Sequence, residues 1–214
     1  MVTPDGTFGT SAEREVEPVD LRGLPINLIL RNRAVLVVGG GRIATRKVGS
    51  FLDVGAEVHV VAPDISEELR AKVAANAVSW TQREFREADV ISVFFVCSAT
   101  GDPAVESAVF SAAERAQTFC NAADVPQACS ATLMALHRDG DVIVAVGSNG
   151  RSPAVAQRLR DQIRDLFGNR NGEMLDQVAA ERAALRSRGL SSESVDWNPV
   201  IDRVQSAVAE SNET

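Results

Sequence analysis

From residue 34 onward, apolar and polar positions switch between two periods. The run "AVLVVGGG" (34–41) is short, β-branched and closed by glycines, which predicts a strand. After it, Ile43, Val48, Phe51 and Leu52 form the apolar side of a helical pattern. "AEVHVVAP" predicts a second strand, "ISEELRAKVAANA" a second helix, and "VSWTQREF" a weaker strand. "DVISVFFVCSA" is a strong strand signal, apolar enough for burial on both faces. "DPAVESAVFSAAERA" predicts another helix and "TFCNAA" the next strand. Strand and helix in alternation imply a parallel sheet covered by helices on both faces.

The alternation then breaks. "ACSATLMAL" and "DVIVAVGS" read as two strands joined by the turn signal "HRDGD", an antiparallel pair. Beyond "NGRSP" the pattern is helical, in "AVAQRLRDQIRDLFG", "EMLDQVAAERAALRSRG" and "PVIDRVQSAVAE". The predicted organisation is a flexible polar tail (1–18), a nucleotide-binding domain (19–124), a β connector (125–153) and a helical domain (154–214). The fold class is α/β: a Rossmann-like doubly wound parallel sheet, then a small β region, then helices. Two strands alone are too few to be stable, so the connector is expected to pair across a homodimer.

Composition narrows the partners. Lys plus Arg number 22 against 29 Asp plus Glu, a net charge of −7, which argues against nucleic acid as the main partner. No apolar run approaches the roughly 20 residues of a membrane helix, and the first 18 residues lack the basic start and apolar core of a secretory signal. Cys97, Cys120 and Cys129 have no CxxC spacing, so reduced thiols in a cytoplasmic protein are expected, without a permanent metal site.

The chemistry begins at "VLVVGGGRIATRK", which sets Gly39-x-Gly41-x-x-Ala44 between a strand and a helix. The first glycine permits a tight turn and the second a close approach of backbone to pyrophosphate. A small Ala44 allows helix and strand to pack, and the helix N-terminus faces the phosphate charge. Gly39, Gly40, Gly41, Arg42, Ile43 and Ala44 are therefore the candidate dinucleotide loop; the other reading is a glycine turn in a domain that has lost its ligand. The second strand runs out at Asp64, after Ala62 and Pro63, where an acid can bond the adenosine ribose. With no Arg or Lys beside Asp64, NAD is expected over NADP. Arg46 and Lys47 either face phosphate or substrate, or belong to a solvated helix face.

Taken in order, "LPINLILRNRAVLVVGGGRIATRK", "VGAEVHVVAP", "CSAT", "FCNAAD" and "VAVGSNGRSPAVAQRLR" resemble the precorrin-2 dehydrogenases, the dehydrogenase–ferrochelatase module of siroheme synthase. The likeness covers roughly residues 21–167; the final helices match only in general character. It implies a Rossmann domain, a dimerisation region and a helical domain in intertwined subunits. It also implies NAD-dependent oxidation of precorrin-2 to sirohydrochlorin, with ferrous iron insertion (or cobalt) in some members. "CSAT" adds Ala99 and Thr100 to the expected cofactor residues.

The aspartate of the family's "CNxxD" motif, implicated in catalysis, corresponds to Asp124. From the residues alone, Asp124 is either a turn-former before Val125-Pro126 or a base at the ligand side of an open α/β sheet. "GSNGRSP" holds the candidate substrate residues Ser148, Asn149, Gly150, Arg151 and Ser152. Structure alone would explain Ser152 as a helix N-cap and Asn149-Gly150 as a tight turn. Free N–H groups and Arg151 would also make a carboxylate-binding corner. Arg158, Arg160 and Arg164 could add positive charge on the following helix. The family likeness puts the serine matching Ser148 at the active site. Its neighbours Gly147 and Asn149 depart from the family's usual wording, so the phosphorylation described there for some members is not carried over. His59 reads as a strand residue and His137 as a turn residue rather than metal ligands. Two other functions fit the glycine loop: an NAD-dependent dehydrogenase for another substrate, and an NAD-sensing regulatory module without turnover.

Overall fold

A computed structural model describes residues 22–167, 170–193 and 195–210; the predicted tail at 1–18 lies outside them. Contacts divide the chain into two compact units that meet at Thr132 and Leu133.

The first unit is a five-stranded parallel sheet. Its strands are β1 (Ala34–Val38), β2 (Glu57–Ala62), β3 (Ser79–Gln82), β4 (Phe95–Ser98) and β5 (Phe119–Ala122), in the order β3-β2-β1-β4-β5. Helices α1 (Arg42–Leu52), α2 (Glu67–Ala74) and α3 (Pro103–Arg115) connect them. In β1 the apolar run serves both faces, because successive side chains point opposite ways. Val35 and Val37 pack in one core with Ala44, Val48 and Phe51 of α1 and Leu69 of α2. Leu36 and Val38 join the other core with Val109, Ala112 and Ala113 of α3. The chain leaves β1 toward β2 and β3, then returns to β4 on the other side of β1. Sheets with such a reversal bind ligands beyond the carboxyl ends of the strands on either side of it, here β1 and β4.

Strand β4 is shorter than its apolar run predicts. Asp89 accepts two hydrogen bonds from Arg83, at 2.8 and 2.6 Å, and one from the Arg86 amide at 2.8 Å. These contacts hold Glu87–Val90 as a 3₁₀ turn, and the strand starts only at Phe95. On the far side of the sheet, Ser130 and Cys129 cover the edge of β5. The Cys120 amide donates to Ser130 Oγ at 2.9 Å and the Ala122 amide to Cys129 Sγ at 3.2 Å. Two edge donors that would otherwise lack partners are thereby satisfied.

The second unit holds the antiparallel pair β6 (Ala135–Asp139) and β7 (Val142–Val146), with helices α4 (Pro153–Phe167), α5 (Asn171–Ser187) and α6 (Asn198–Glu210). The connection is tighter than the "HRDGD" signal suggested: Asp139 pairs with Val142, leaving only Gly140 and Asp141 as loop. His137 is accordingly a β6 residue opposite Val144, not a turn residue. Asp139 Oδ2 accepts the Asn171 amide at 2.6 Å, so the hairpin end caps the start of α5.

Candidate functional site

The glycine loop is held by its neighbours. Gly39 has φ +111°, which side chains rarely adopt, and a Cβ there would lie 2.4 Å from the Ala99 carbonyl oxygen. At Gly40 a Cβ would fall 2.0 Å from the Asp64 carbonyl oxygen, so backbone crowds it directly. Around Gly41 no atom of the described residues lies within 4 Å of the same position. The loop thus packs tightly on two glycines and leaves the third open, on the side where α1 begins. The first helical bond runs from the Thr45 amide to the Gly41 carbonyl at 2.9 Å. Among the described residues no side chain caps that helix start, which leaves the amides of Arg42, Ile43 and Ala44 ahead of it for an anion. Ala44 is fully buried against the sheet, Arg42 is exposed and Ile43 half-buried. An open cradle, uncapped amides and a small residue at the helix–strand contact fit a dinucleotide pyrophosphate.

The β2 end braces this loop: the Ser66 amide donates to the Gly40 carbonyl at 2.8 Å, and the hydroxyls of Thr45 and Ser66 are 2.7 Å apart. Asp64 is exposed, accepts the Ile65 amide at 2.9 Å through Oδ1, and is ion-paired through the same oxygen with Arg70. The expectation that no Arg or Lys sits beside Asp64 is corrected here. Arg70 lies one helical turn past the N-cap Ser66, and the helix carries it back to the aspartate.

The β4 end supplies Ala99 and Thr100, both half-buried. Glu106 of α3, almost wholly buried, holds this turn: its Oε1 accepts the Thr100 amide and the Thr100 hydroxyl, each at 2.8 Å. Its Oε2 and the buried Ser98 hydroxyl have no partner among the described residues. Sequence reasoning missed Glu106, although the signal was present. It is a charged residue in phase with the buried stripe Val109, Ala112 and Ala113.

Asp124 lies in the turn just past β5, on the same edge of the parallel sheet as the glycine loop. Its φ is +62°, a left-handed conformation that aspartate tolerates better than most residues. Its side chain is exposed, and among the described residues its carboxylate has no hydrogen bond or ion pair. Beneath it, Asn121 Nδ2 donates to the Ala131 carbonyl at 3.0 Å, and the Cys129 thiol lies 3.4 and 3.5 Å from the carbonyls of Ala122 and Val125. Asn121 and Cys129 thus anchor the turn. Burial pushes the thiols of Cys97 and Cys120 up to about 12 and raises that of Cys129, so none is a ready nucleophile.

In the second unit, Ser148–Ser152 forms a self-contained corner. Asn149 and Gly150 both have positive φ, +50° and +73°, and the Arg151 amide closes the turn on the Ser148 carbonyl at 3.0 Å. That is the type I′ pattern which Asn-Gly favours. Ser152 caps α4 by accepting the Val155 amide at 3.3 Å, and Ser148 Oγ accepts the Ser152 amide at 3.1 Å. Arg151 is exposed. Of the helix arginines, Arg160 pairs with Asp161, and Arg164 with Asp161 and Asp165, which cancels much of their charge locally. His59 bridges Ser79 (2.7 Å) and Thr81 (3.1 Å) on β3, as a strand residue does.

Comparison with known proteins gives a consistent picture. The family described as "Putative NAD(P)-binding" matches residues 26–135. A siroheme synthase from Neisseria meningitidis serogroup C is 35% identical over 164 residues, 77% of this chain and 34% of that protein. One from Nitrosococcus oceani is 33% identical over 189 residues, 87% of this chain and 40% of that protein. The chain therefore spans little more than a third of the length of these curated relatives. The solved structure titled "SirC, precorrin-2 dehydrogenase" superposes with a TM-score of 0.68 at 26% identity, covering 88% of each chain. Among the described residues, no helix is long and apolar enough to cross a membrane.

Proposed function

Since the chain belongs to the NAD(P)-binding family matched over residues 26–135, we propose that it oxidises precorrin-2 to sirohydrochlorin with NAD, in siroheme biosynthesis. The observation that carries the reading is the shared edge of the sheet. The open Gly41 cradle and the unpaired Asp124 carboxylate both lie at the carboxyl ends of parallel strands. The siroheme synthase relatives and the precorrin-2 dehydrogenase structure support the choice of substrate.

The oxidation removes a hydride and a proton from the macrocycle and extends its conjugation. Bound NAD would supply the hydride acceptor. Residues Gly39 to Ala44 would hold its pyrophosphate and Asp64 its ribose, with Ala99 and Thr100 bordering the site. Asp124 takes the proton: an exposed carboxylate with no competing donor among the described residues can act as a base. Ser148 to Ser152 receive substrate carboxylates through the Arg151 guanidinium and the serine hydroxyls, the Arg151 and Ser152 amides being used to close the turn. Ferrous iron insertion, or cobalt insertion, is a second step that the same carboxylate could serve by accepting pyrrole protons; iron is then a substrate. The chain works as a cytoplasmic homodimer. Leu136 and Ile143, at 45% and 39% exposure on the outer face of the β6–β7 pair, support that pairing.

The test is anaerobic incubation with precorrin-2 and NAD, following sirohydrochlorin absorbance. Turnover is expected, and no turnover rejects the dehydrogenase. Asp124→Ala should lower kcat by about 10²-fold or more while NAD still binds; an unchanged rate rejects the role of Asp124. Ferrous iron or cobalt added to the same reaction reads out chelation separately.

A further inference from the structure

The family likeness and the glycine loop leave open how the adenosine end of the cofactor is distinguished, and the contacts of Asp64 bear on it. Asp64 adjoins the glycine loop through backbone: its carbonyl is what a Cβ at Gly40 would strike. Its carboxylate is ion-paired with Arg70 and is 77% exposed. Arg70 is half exposed, and its guanidinium lies over the Trp80 ring, 5.4 Å from the centroid. Trp80 is itself fixed by its indole N–H, which donates to the Ala62 carbonyl at the end of β2, 3.0 Å away. The arginine is therefore supported from below by an aromatic face and held from the side by the one acid expected to meet the ribose.

We propose that Arg70 is the specificity-determining residue between NAD and NADP, and that Asp64 sets the choice by occupying it. The inference rests on dinucleotide binding at the glycine loop. A ribose bearing two hydroxyls donates to the Asp64 carboxylate and leaves the ion pair in place. A ribose 2′-phosphate is repelled by that carboxylate and gains Arg70 only by displacing it, so the wild type favours NAD. Removing the acid frees a guanidinium already placed on Trp80, and a planar fork of donors suits a phosphate.

The experiment compares dissociation constants for NAD and NADP, by calorimetry on the full chain, for wild type, Asp64→Ser, Arg70→Ala and the double variant. Both positions are exposed, so the variants are expected to fold. Asp64→Ser should shift the NADP-to-NAD affinity ratio toward NADP by about tenfold or more, the scale of one charge-assisted contact. The double variant should lose that shift. An unchanged ratio in Asp64→Ser, or a shift retained in the double variant, overturns the role of Arg70 while leaving dinucleotide binding intact. A wild type that binds neither dinucleotide overturns both this inference and the proposed function.

Discussion

The glycine loop of the first unit and the serine turn of the second both offer backbone N–H groups where a helix begins, yet they are made differently. The glycine loop is shaped by distant chain: the Ala99 and Asp64 carbonyls wall it in, and Ser66 bonds to it. The serine turn is shaped by itself, through bonds from Arg151 to Ser148, Ser152 to Ser148 and Val155 to Ser152 that span four residues or fewer. The shape of the first depends on three strand ends arriving together; that of the second depends on Asn-Gly and a capping serine. Damage to the first should therefore spread through the fold, and damage to the second should stay local.

The sharpest way to break that contrast is Gly40→Ala. Its new methyl would meet backbone at 2.0 and 2.8 Å, so the β2 end must move. A loss of about 3 kcal/mol or more in urea unfolding is expected, together with loss of NAD binding. A wild-type midpoint would show that the loop is not walled in as described. Gly41→Ala refines the point, because its methyl meets nothing within 4 Å. Stability should change by about 1 kcal/mol or less, while the dissociation constant for NAD rises about tenfold or more, since the methyl enters the phosphate approach. Equal NAD affinity would move the pyrophosphate away from this cradle.

In the second unit, Ser152→Ala removes the cap of α4. It should cost about 1 kcal/mol in thermal unfolding with the NAD dissociation constant unchanged. A change in NAD affinity would contradict the local character of the turn. The smallest effect is a pH dependence at His59 of β2, beside the edge strand β3. Burial, more than the opposing charge of Asp89, lowers the pKa of His59 below its ordinary 6.5. The unfolded chain then binds the proton first, so the contribution of His59 is complete above pH 6.5 and is lost as pH falls through its lowered value. His59→Gln should flatten stability between neutral and mildly acid pH, measured by urea midpoints; an identical slope would remove His59 from that dependence.

Much of this could be read along the chain. The β-branched run before Gly39, the helical stripe after it and the repeat of that unit predict the parallel sheet, because periodicity records which faces are buried. Asn149-Gly150 and Ser152-Pro153 were equally legible, since turn and cap chemistry is local. Less legible was the length of β4: "DVIS" has strand-like residues, but Asp89 finds Arg83 and Arg86 and makes a turn instead. His137 was misread for a similar reason, because the hairpin needed only Gly140 and Asp141 between its paired strands.

Local residue order by itself determined the sheet, the place of the glycines between β1 and α1, the turn before α4 and the position of Asp124 at a strand end, all of which follow from period, turn residue and strand direction. The walls of the glycine cradle came from distant chain. Tertiary structure alone decided that Arg70 meets Asp64, that Glu106 holds Thr100, and that Cys129 and Ser130 close the edge of β5. Those contacts join residues on different elements or on opposite sides of a turn. Their partners are chosen by which side chains the packed sheet and helices bring within hydrogen-bond reach, and no period along the chain encodes that distance.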